Sequence, residues 1–374
     1  MLSRKIKLFV AVLFTVLIVG AVTAAHAQYE TEGRAGDSDQ VKMLRKSALQ
    51  GDVAAQLDLG IAYYNGEGAV KDYREAVKWY KRAAERGNSS AQLGLAIAYH
   101  NGEGVEKDLA EAVKWYLRAT DQGNAAAQLD LGIAYHNGEG VAKDYEEAVK
   151  WWLKAAEQGN ASAELGLGIA YHNGEGVVKD YREAFKWYQA SAIQGNAKAE
   201  HYLAAAYHNG ESVEKDDKRA VEWWRKAAEQ GNSSAQLSLG DAYYYGWGID
   251  KDNKEAVKWW AKSAEQGDAS AQFCLGLAYH NGEGIEKDYE QAVQWYRKSA
   301  VQGNASAQLY LAIAYHNGDG VDQDDKEAVK WLNKSADQGR MDFESKRNKE
   351  DSQTDLDYGD AAVQILFSRS EKLK

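Results

Sequence analysis

An all-α solenoid is the fold class that the sequence predicts, and three observations lead to it. Tryptophan recurs with a fixed period of 36 residues, and tyrosine recurs with the same period. Eight such copies fill residues 52–339 without an insertion or deletion. The 374-residue chain contains no proline and only one cysteine, which excludes an intramolecular disulfide framework and a cysteine-based zinc site. A period of this length is typical of stacked helical repeats.

The N-terminal residues 1–27 have the pattern of a secretory signal peptide. Three basic residues precede an apolar run over residues 8–22, and an Ala-His-Ala cleavage pattern ends at Ala27. We therefore expect a mature chain that begins at Gln28 and is located in the periplasm or secreted. An uncleaved membrane anchor is the alternative, because residues 8–25 could just span a bilayer.

The chain is acidic, with a net charge of −11 at pH 7. Residues 1–27 carry three basic residues and no acidic one, so their removal changes the net charge to −14. Such a surface is poorly suited to phosphate backbones and anionic lipids. We expect no nucleic-acid partner, no membrane span after signal cleavage, and a monomer.

The copies are predicted to begin at a helix cap and to end at a glycine. Their boundaries are 52–87, 88–123, 124–159, 160–195, 196–231, 232–267, 268–303 and 304–339. In copy three, Ala127, Leu131 and Tyr135 lie on one face of a first helix, which ends at Asn137-Gly138. The asparagines that begin copies also create N-x-S patterns, which a helix N-cap explains better than glycosylation.

The second helix of each copy is predicted to begin with a capping box. In copy three, Asp144 caps the helix, and Glu147 is expected to reach back to the backbone of the cap. The periodic tryptophan follows in this helix, and we expect it to form the central packing column. The column consists of Trp79, Trp115, Trp151, Trp187, Trp223, Trp259, Trp295 and Trp331.

The segments that flank the copies have different predicted roles. Residues 28–40 are expected to be flexible. Residues 41–51 match a second helix in register, with Met43 at the tryptophan position, and are predicted to be a capping half-repeat. Residues 340–374 form a charged C-terminal tail, in which residues 361–373 could form one short helix.

The repeated motifs resemble those of the Sel1-like repeat family, a relative of the tetratricopeptide repeats. The resemblance rests on the A-x-x-x-L-G-x-A-Y first helix, the NGEGV loop and the D-Y-x-E-A-V-K-W second helix, and it covers residues 52–339. It implies a right-handed superhelix with a concave inner face. It also implies a protein-interaction adaptor, since relatives include secreted bacterial proteins that act in signalling or bind host factors. A cysteine-rich subgroup is associated with β-lactamase activity, but this chain contains only Cys274.

Six histidines precede the Asn-Gly that ends a first helix, and they invite a search for a metal site. Equivalent residues on stacked helices lie roughly 8–10 Å apart, which is too far for shared coordination. We predict a structural role for them and no metal, no cofactor and no catalytic residue. The six are His100, His136, His172, His208, His280 and His316.

Two further motifs are interpreted as structural or accidental. The loop acids, such as Glu103, Glu139 and Glu175, lack the alternating oxygen ligands of a calcium loop and are expected to be solvated. The Ser212-x-x-Lys215 sequence matches the nucleophile motif of penicillin-recognising enzymes, but the S-D-N and K-T-G partners are absent.

Departures from the shared pattern mark a candidate surface for a protein or peptide partner. Copies five and six depart most, and the residues singled out are Tyr202, Asp241, Tyr244, Tyr245 and Trp247. Exposed tryptophan and tyrosine are frequent hot spots of protein interfaces. Random drift within one copy is the alternative explanation.

The sequence therefore predicts an exported, non-enzymatic scaffold or adaptor for protein–protein interactions. A weak β-lactamase-like hydrolase, suggested only by the cysteine-rich relatives, is the alternative function. A structural role in envelope assembly is the third.

Overall fold

The structure is a computed structural model that describes residues 36–347, a range with seventeen α-helices and no strand. The predicted signal peptide 1–27 and the predicted helix 361–373 lie outside it. Helix α1 (Asp39–Leu49) precedes the eight copies. The first helices are α2 (Val53–Asn65), α4 (Ser89–Asn101), α6 (Ala125–Asn137), α8 (Ala161–Asn173), α10 (Ala197–Asn209), α12 (Ser233–Tyr245), α14 (Ala269–Asn281) and α16 (Ala305–Asn317). The second helices are α3 (Tyr73–Glu85), α5 (Leu109–Thr120), α7 (Tyr145–Ala156), α9 (Tyr181–Ile193), α11 (Asp217–Glu229), α13 (Asn253–Glu265), α15 (Tyr289–Val301) and α17 (Asp325–Arg347).

The helices form two compact units, which divide between Ser191 and Ala192. Within each unit, the two helices of a copy pack on each other, and each second helix also packs on the first helix of the next copy. Helices inside a unit therefore bury two faces, and the core runs on from copy to copy. The predicted all-α solenoid of eight helix pairs is confirmed.

Each first helix begins at an Asn or Asp cap and ends at a glycine. In α6, the Asn124 side chain accepts a hydrogen bond from the Ala127 N–H at 3.0 Å. Gly138 ends the helix with φ 78°, a left-handed conformation that glycine adopts at little cost. The four N-x-S asparagines that begin copies are such caps, as predicted: Asn88, Asn160, Asn232 and Asn304.

The capping-box prediction for the second helix is right for the aspartate and wrong for the glutamate. The Asp144 side chain accepts hydrogen bonds from the N–H groups of Glu146 and Glu147 at 3.0 Å. Its own N–H donates to the Tyr135 carbonyl at 2.9 Å, and all eight copies contain this bond. The Asp144 N–H, which was expected to donate to the Glu147 carboxylate, thus donates to a carbonyl at the end of the first helix instead. Glu147 accepts a hydrogen bond from Lys150 at 2.6 Å instead.

The predicted tryptophan column is not the most buried column of the stack. Trp79, Trp115 and Trp331 are buried, but the other five periodic tryptophans are half-buried. The residue that follows each tryptophan is at most 7% exposed in every copy. That column consists of Tyr80, Tyr116, Trp152, Tyr188, Trp224, Trp260, Tyr296 and Leu332.

A basic side chain covers the periodic tryptophan in seven copies. The cation lies three residues further along the helix, 3.7–4.6 Å from the ring centroid. Copy four has Ala190 at this position. The periodic tryptophan therefore contributes a half-buried cation–π contact, and the next residue fills the core.

Helix α1 packs on α2, and its N-terminal side is more ordered than predicted. Asp37, within the segment predicted to be flexible, is buried and accepts a hydrogen bond from the Tyr63 hydroxyl at 2.8 Å. Met43, at the tryptophan position, is 67% exposed. Arg45 is fully buried and donates a hydrogen bond to the same Tyr63 hydroxyl at 2.7 Å. Polar contacts thus hold the segment 37–40 and α1 against copy one.

The last second helix is longer than the period predicts. Helix α17 continues through Gly339 to Arg347, whereas the sequence predicted a stop at Gly339. In copies one to seven an Asn or Asp follows this glycine and caps the next helix, but Arg340 follows here. Without a capping residue the backbone continues as helix. The predicted tail from residue 340 therefore begins as helix.

Two neighbouring tryptophans of copy three separate the roles of the two columns. We expect Trp152→Ala to lower the free energy of unfolding by about 3–5 kcal/mol, because a buried side chain leaves a cavity. Trp151→Ala should cost about 1–2 kcal/mol, because its ring is half-buried. Urea denaturation measures both, and Trp223→Ala and Trp224→Ala provide the matched pair in copy five. An equal or larger loss for Trp151→Ala would contradict this assignment.

Candidate partner-binding surface

A hydrogen bond joins the end of a first helix to the loop of the following copy. The Tyr64 hydroxyl donates to Glu103 at 2.7 Å, and the Tyr244 hydroxyl donates to Glu283 at 2.8 Å. His100 makes the equivalent contact through Nε2, which lies 2.8 Å from the Glu139 carboxylate. His136 and Glu175 form the same contact at 3.1 Å. We call this contact the loop strut, since it connects residues 39 apart on adjacent copies.

Two of the struts, Tyr64–Glu103 and His100–Glu139, shift the pKa values of both their members. The hydrogen bond to Glu139 raises the pKa of His100, and the same bond lowers the pKa of Glu139. The Tyr64 hydroxyl lowers the pKa of Glu103. Burial, followed by the bond to Glu103, raises the pKa of Tyr64 to about 12. The tyrosine strut is thus uncharged at its donor, while the histidine strut is an ion pair when the ring is protonated.

The strut gives His100 and His136 a structural role and corrects the prediction for the loop acids. Glu103, Glu139 and Glu175 are not merely solvated, because each accepts a hydrogen bond from the preceding copy. The donor rings of Tyr64 and His136 also pack edge-on against the tyrosine that begins the second helix of their own copy. His136 and Tyr145, for example, have centroids 5.0 Å apart. Among residues 36–347, no cluster of three or more His, Cys, Asp and Glu could hold a metal ion.

The strut is replaced between copies five and six. Trp247 stands where the other copies have an acid, and its ring centroid lies 4.5 Å from that of His208. His208 Nδ1 instead lies 2.7 Å from the Asp217 carboxylate within its own copy. A ring contact thus takes the place of the hydrogen bond between the two copies.

Trp247 extends an aromatic cluster at the end of α12. Tyr245 stacks on Trp247 with centroids 4.9 Å apart and an interplanar angle of 20°. Tyr244 contacts Tyr245 edge-on at 4.9 Å. Tyr245 is 53% exposed, and the other copies have asparagine at its position. We call the residues His208, Tyr244, Tyr245 and Trp247 the copy-six aromatic surface.

Asp241, a predicted member of this surface, is tied into the packing of its own copy. Its carboxylate accepts a hydrogen bond from the Trp260 indole N–H at 2.9 Å. Burial raises the pKa of Asp241 to about 6 and that of the nearby Cys274 thiol to about 12. Asp241 therefore supports the aromatic surface from within, and Cys274 is protonated at neutral pH.

The contacts bring together three of the five predicted surface residues, Tyr244, Tyr245 and Trp247. Asp241 bonds to Trp260 instead, and the fifth residue lies on another helix. Tyr202 lies on α10 of copy five and is 38% exposed, with its ring 5.7 Å from that of His201. Sequence reasoning missed His208 as a member. Two changes in the sequence could have indicated it. Trp247 replaces the loop acid of copy six, and Asp217 follows the Asp cap of copy five, where four of the other copies have tyrosine.

The S-x-x-K motif lies in the turn of copy five. Ser212 has φ 64°, at the position where the other copies have a glycine. Lys215 Nζ lies 3.6 Å from the Asp217 carboxylate. The serine therefore occupies a strained loop position, and the lysine is directed to an acid of α11.

Comparison with known proteins agrees with this architecture. The family model described as Sel1 repeat matches residues 53–88, 89–124, 125–160, 161–196, 197–232, 233–268, 269–304 and 305–339. These boundaries begin one residue later than the predicted ones. No curated protein matches the chain.

Two crystal structures of bacterial proteins are similar to the chain. One is a protective antigen present in uropathogenic Escherichia coli strains, which displays an SLR fold. It is 38% identical with a TM-score of 0.71, over 89% of this chain and 71% of that one. The other is a Sel1 repeat protein from Oxalobacter formigenes, 36% identical with a TM-score of 0.60, over 65% of this chain and 96% of that one.

The fold defines an α-solenoid repeat protein built from nearly identical helix pairs. The chain belongs to the Sel1 repeat family. Sel1 repeat proteins are generally non-enzymatic scaffolds for protein–protein interactions. Among residues 36–347, every helix is too short or too polar to cross a bilayer.

The two kinds of strut should respond differently to pH. The raised pKa of His100 means that the ionic strut is complete below about pH 6.5 and is lost as the pH rises through the raised value. Glu139→Gln should therefore cost more stability at pH 5.5 than at pH 8.5, by about 0.2–1 kcal/mol because the pair is partly solvated. Thermal unfolding at both pH values measures the difference. Glu103→Gln is the matched control, whose cost should stay constant because Tyr64 remains protonated. A constant cost for Glu139→Gln would contradict an ionic strut.

Proposed function

We propose that this chain is an exported monomeric scaffold that binds a protein or peptide partner at the copy-six aromatic surface. The stack of the exposed Tyr245 ring on the half-buried Trp247 ring carries the proposal. At these two positions the other copies have asparagine and an acid, which form a polar turn. Rigid aromatic side chains offer large contact areas with little loss of side-chain freedom on binding.

The hydrogen bonds around the copy-six aromatic surface favour a role in partner recognition over random drift of the sequence. His208 pairs with Asp217, Tyr244 retains its strut to Glu283, and Asp241 accepts from Trp260. His208, which faces Trp247 in place of a loop acid, therefore has another polar partner. The aromatic surface is held in place before any partner arrives, which lowers the entropy cost of binding.

The acidic charge of the chain favours a partner with basic residues. The net charge of −11 would steer a basic partner towards the molecule. A lysine or arginine of such a partner can also stack on the exposed ring of Tyr245 through a cation–π contact. The solenoid would hold this partner on a preformed surface and perform no chemistry on it.

Restoring the shared pattern at two positions tests the surface without disrupting the fold. We expect the double variant Tyr245→Asn and Trp247→Glu to weaken partner binding about 30-fold, which corresponds to a hot spot of about 2 kcal/mol. The partner is first captured from the envelope with the mature chain, then purified and titrated by calorimetry. The variant should melt at an unchanged or higher temperature, because the loop regains an acid opposite His208.

The matched control for this experiment is Tyr64→His in copy one, which exchanges one type of strut for the other. Its affinity for the partner should equal that of the wild type. An unchanged affinity of the double variant would refute the proposed surface.

Export is the second part of the proposal, and it rests on the basic start, the apolar run and the Ala-His-Ala pattern of residues 1–27. We expect N-terminal sequencing of the protein from the periplasm or the medium to begin at Gln28. The variant Ala27→Leu should keep the signal attached, because a large side chain blocks the cleavage site. An intact N-terminus in the membrane fraction of the wild type would instead indicate the anchor.

A further inference from the structure

The outward face of α17 lacks the cover that the equivalent faces have inside the stack. Val329 is 48% exposed, whereas the valines at its position in six other copies are 4–8% exposed. Ala336 is exposed, while its equivalents Ala264 and Ala300 are buried. The six valines are Val77, Val113, Val149, Val221, Val257 and Val293.

Inside each unit, the first helix of the next copy covers this face. Val257 of α13 shares a cluster with Leu275 of α14, and Val293 of α15 shares one with Leu311 of α16. A glutamine of the covering helix also donates to a carbonyl of the covered helix, as in the 3.0 Å bond from Gln308 to Ala300. An occupant of the α17 face therefore needs a leucine-like residue and a glutamine four residues after its cap.

The sequence beyond the described residues contains a segment of this kind. Residues 359–367 read GDAAVQILF, and residues 123–131, which begin copy three, read GNAAAQLDL. Asp360 matches the cap, Gln364 matches Gln128 and Phe367 matches Leu131. Aspartate already caps α2 and α14 in the same way. In register with the 36-residue period, a ninth copy would follow Gly339. The segment instead follows Gly359, twenty residues later.

The connecting chain is long enough for the segment to return to α17. The helix extends beyond Gly339 to Arg347, a length of about 12 Å at 1.5 Å per residue. Residues 348–358 then connect, and a chain of this length spans up to about 36 Å when extended. The extended connection of about 36 Å is thus longer than the stretch of helix of about 12 Å along which the chain must return.

We propose that residues 360–370 form a ninth first helix, which docks on the outward face of α17 and covers Val329. Phe367 takes the place that Leu311 has against α15, and Gln364 donates to the Ala336 carbonyl. The stack is then closed by a half-repeat at each end, with α1 before copy one and the ninth helix after copy eight. Repeat arrays require such terminal caps, because an uncovered apolar face favours association.

Hydrogen exchange of the full mature chain tests the proposal. We expect Phe367→Asp to accelerate exchange of the α17 amides at residues 328–337 by about tenfold, since the cover is lost. Phe367→Leu, which restores the residue of the other copies, should leave the exchange unchanged. Ala362→Glu should also leave it unchanged, because Ala126, the equivalent residue of copy three, is exposed.

The reciprocal variant Val329→Asp should accelerate exchange of the amides at residues 362–368, while α14 keeps its protection as a control for folding. Equal α17 exchange in Phe367→Asp and wild type would overturn the proposal. A doubled mass in light scattering at micromolar concentration would overturn it too, because a second copy would then be covering the face.

Discussion

The contact between an aromatic side chain of the second helix and a small residue of the first helix sets the spacing of each pair. A Cβ atom added to Gly132 would lie 2.4 Å from the Trp152 ring, and one added to Gly240 would lie 2.5 Å from Trp260. The two helices can approach closely only because that position is small. Each pair then brings the carbonyl at the end of its first helix to the N–H of the next Asp cap, so the turn between the helices depends on the same contact.

The pair is the unit of the fold, and the interactions between pairs determine where it can vary. Leucines of the first helices and the residue after each periodic tryptophan fill the shared core. The loop strut lies outside that core and links neighbouring copies at the surface. A copy can therefore lose its strut without losing its core. Copies five and six use this freedom, since the contact between His208 and Trp247 replaces the strut, and the exposed Tyr245 ring stacks on Trp247.

The sequence predicted the features that recur with the period and depend on neighbouring residues. The helix pairs, the Asn and Asp caps and the glycine stops of the first helices all follow from residues within one copy, and all are confirmed. The sequence did not predict that Trp152 is more buried than Trp151. The rotation of the helix about its axis, which its packing against neighbouring helices sets, decides which of two adjacent aromatic residues faces the core. The role of Glu147 also failed, because the Tyr135 carbonyl that displaces it comes from the preceding helix. The strut was missed because its members lie 39 residues apart and belong to different copies.

The candidate surface shows the same limit. Departure from the shared pattern identified Tyr244, Tyr245 and Trp247, which lie together, but it gave Asp241 the same weight as the aromatic residues. The structure ties the Asp241 carboxylate to the Trp260 indole, a contact between two helices that no spacing reveals. His208 matched the pattern and was therefore not selected, although it changes its partner. Comparison between copies thus identifies a changed residue and leaves its unchanged neighbour unmarked.

Site-specific photo-crosslinking in cells that produce the full chain tests the central claim most directly. A photoreactive phenylalanine analogue is placed at Tyr245 and, in a second variant, at Asn137, the equivalent position of copy three. The copy-six aromatic surface predicts a covalent adduct with a partner protein at position 245 and none at position 137. Adducts of equal yield at both positions, or none at position 245, would contradict it.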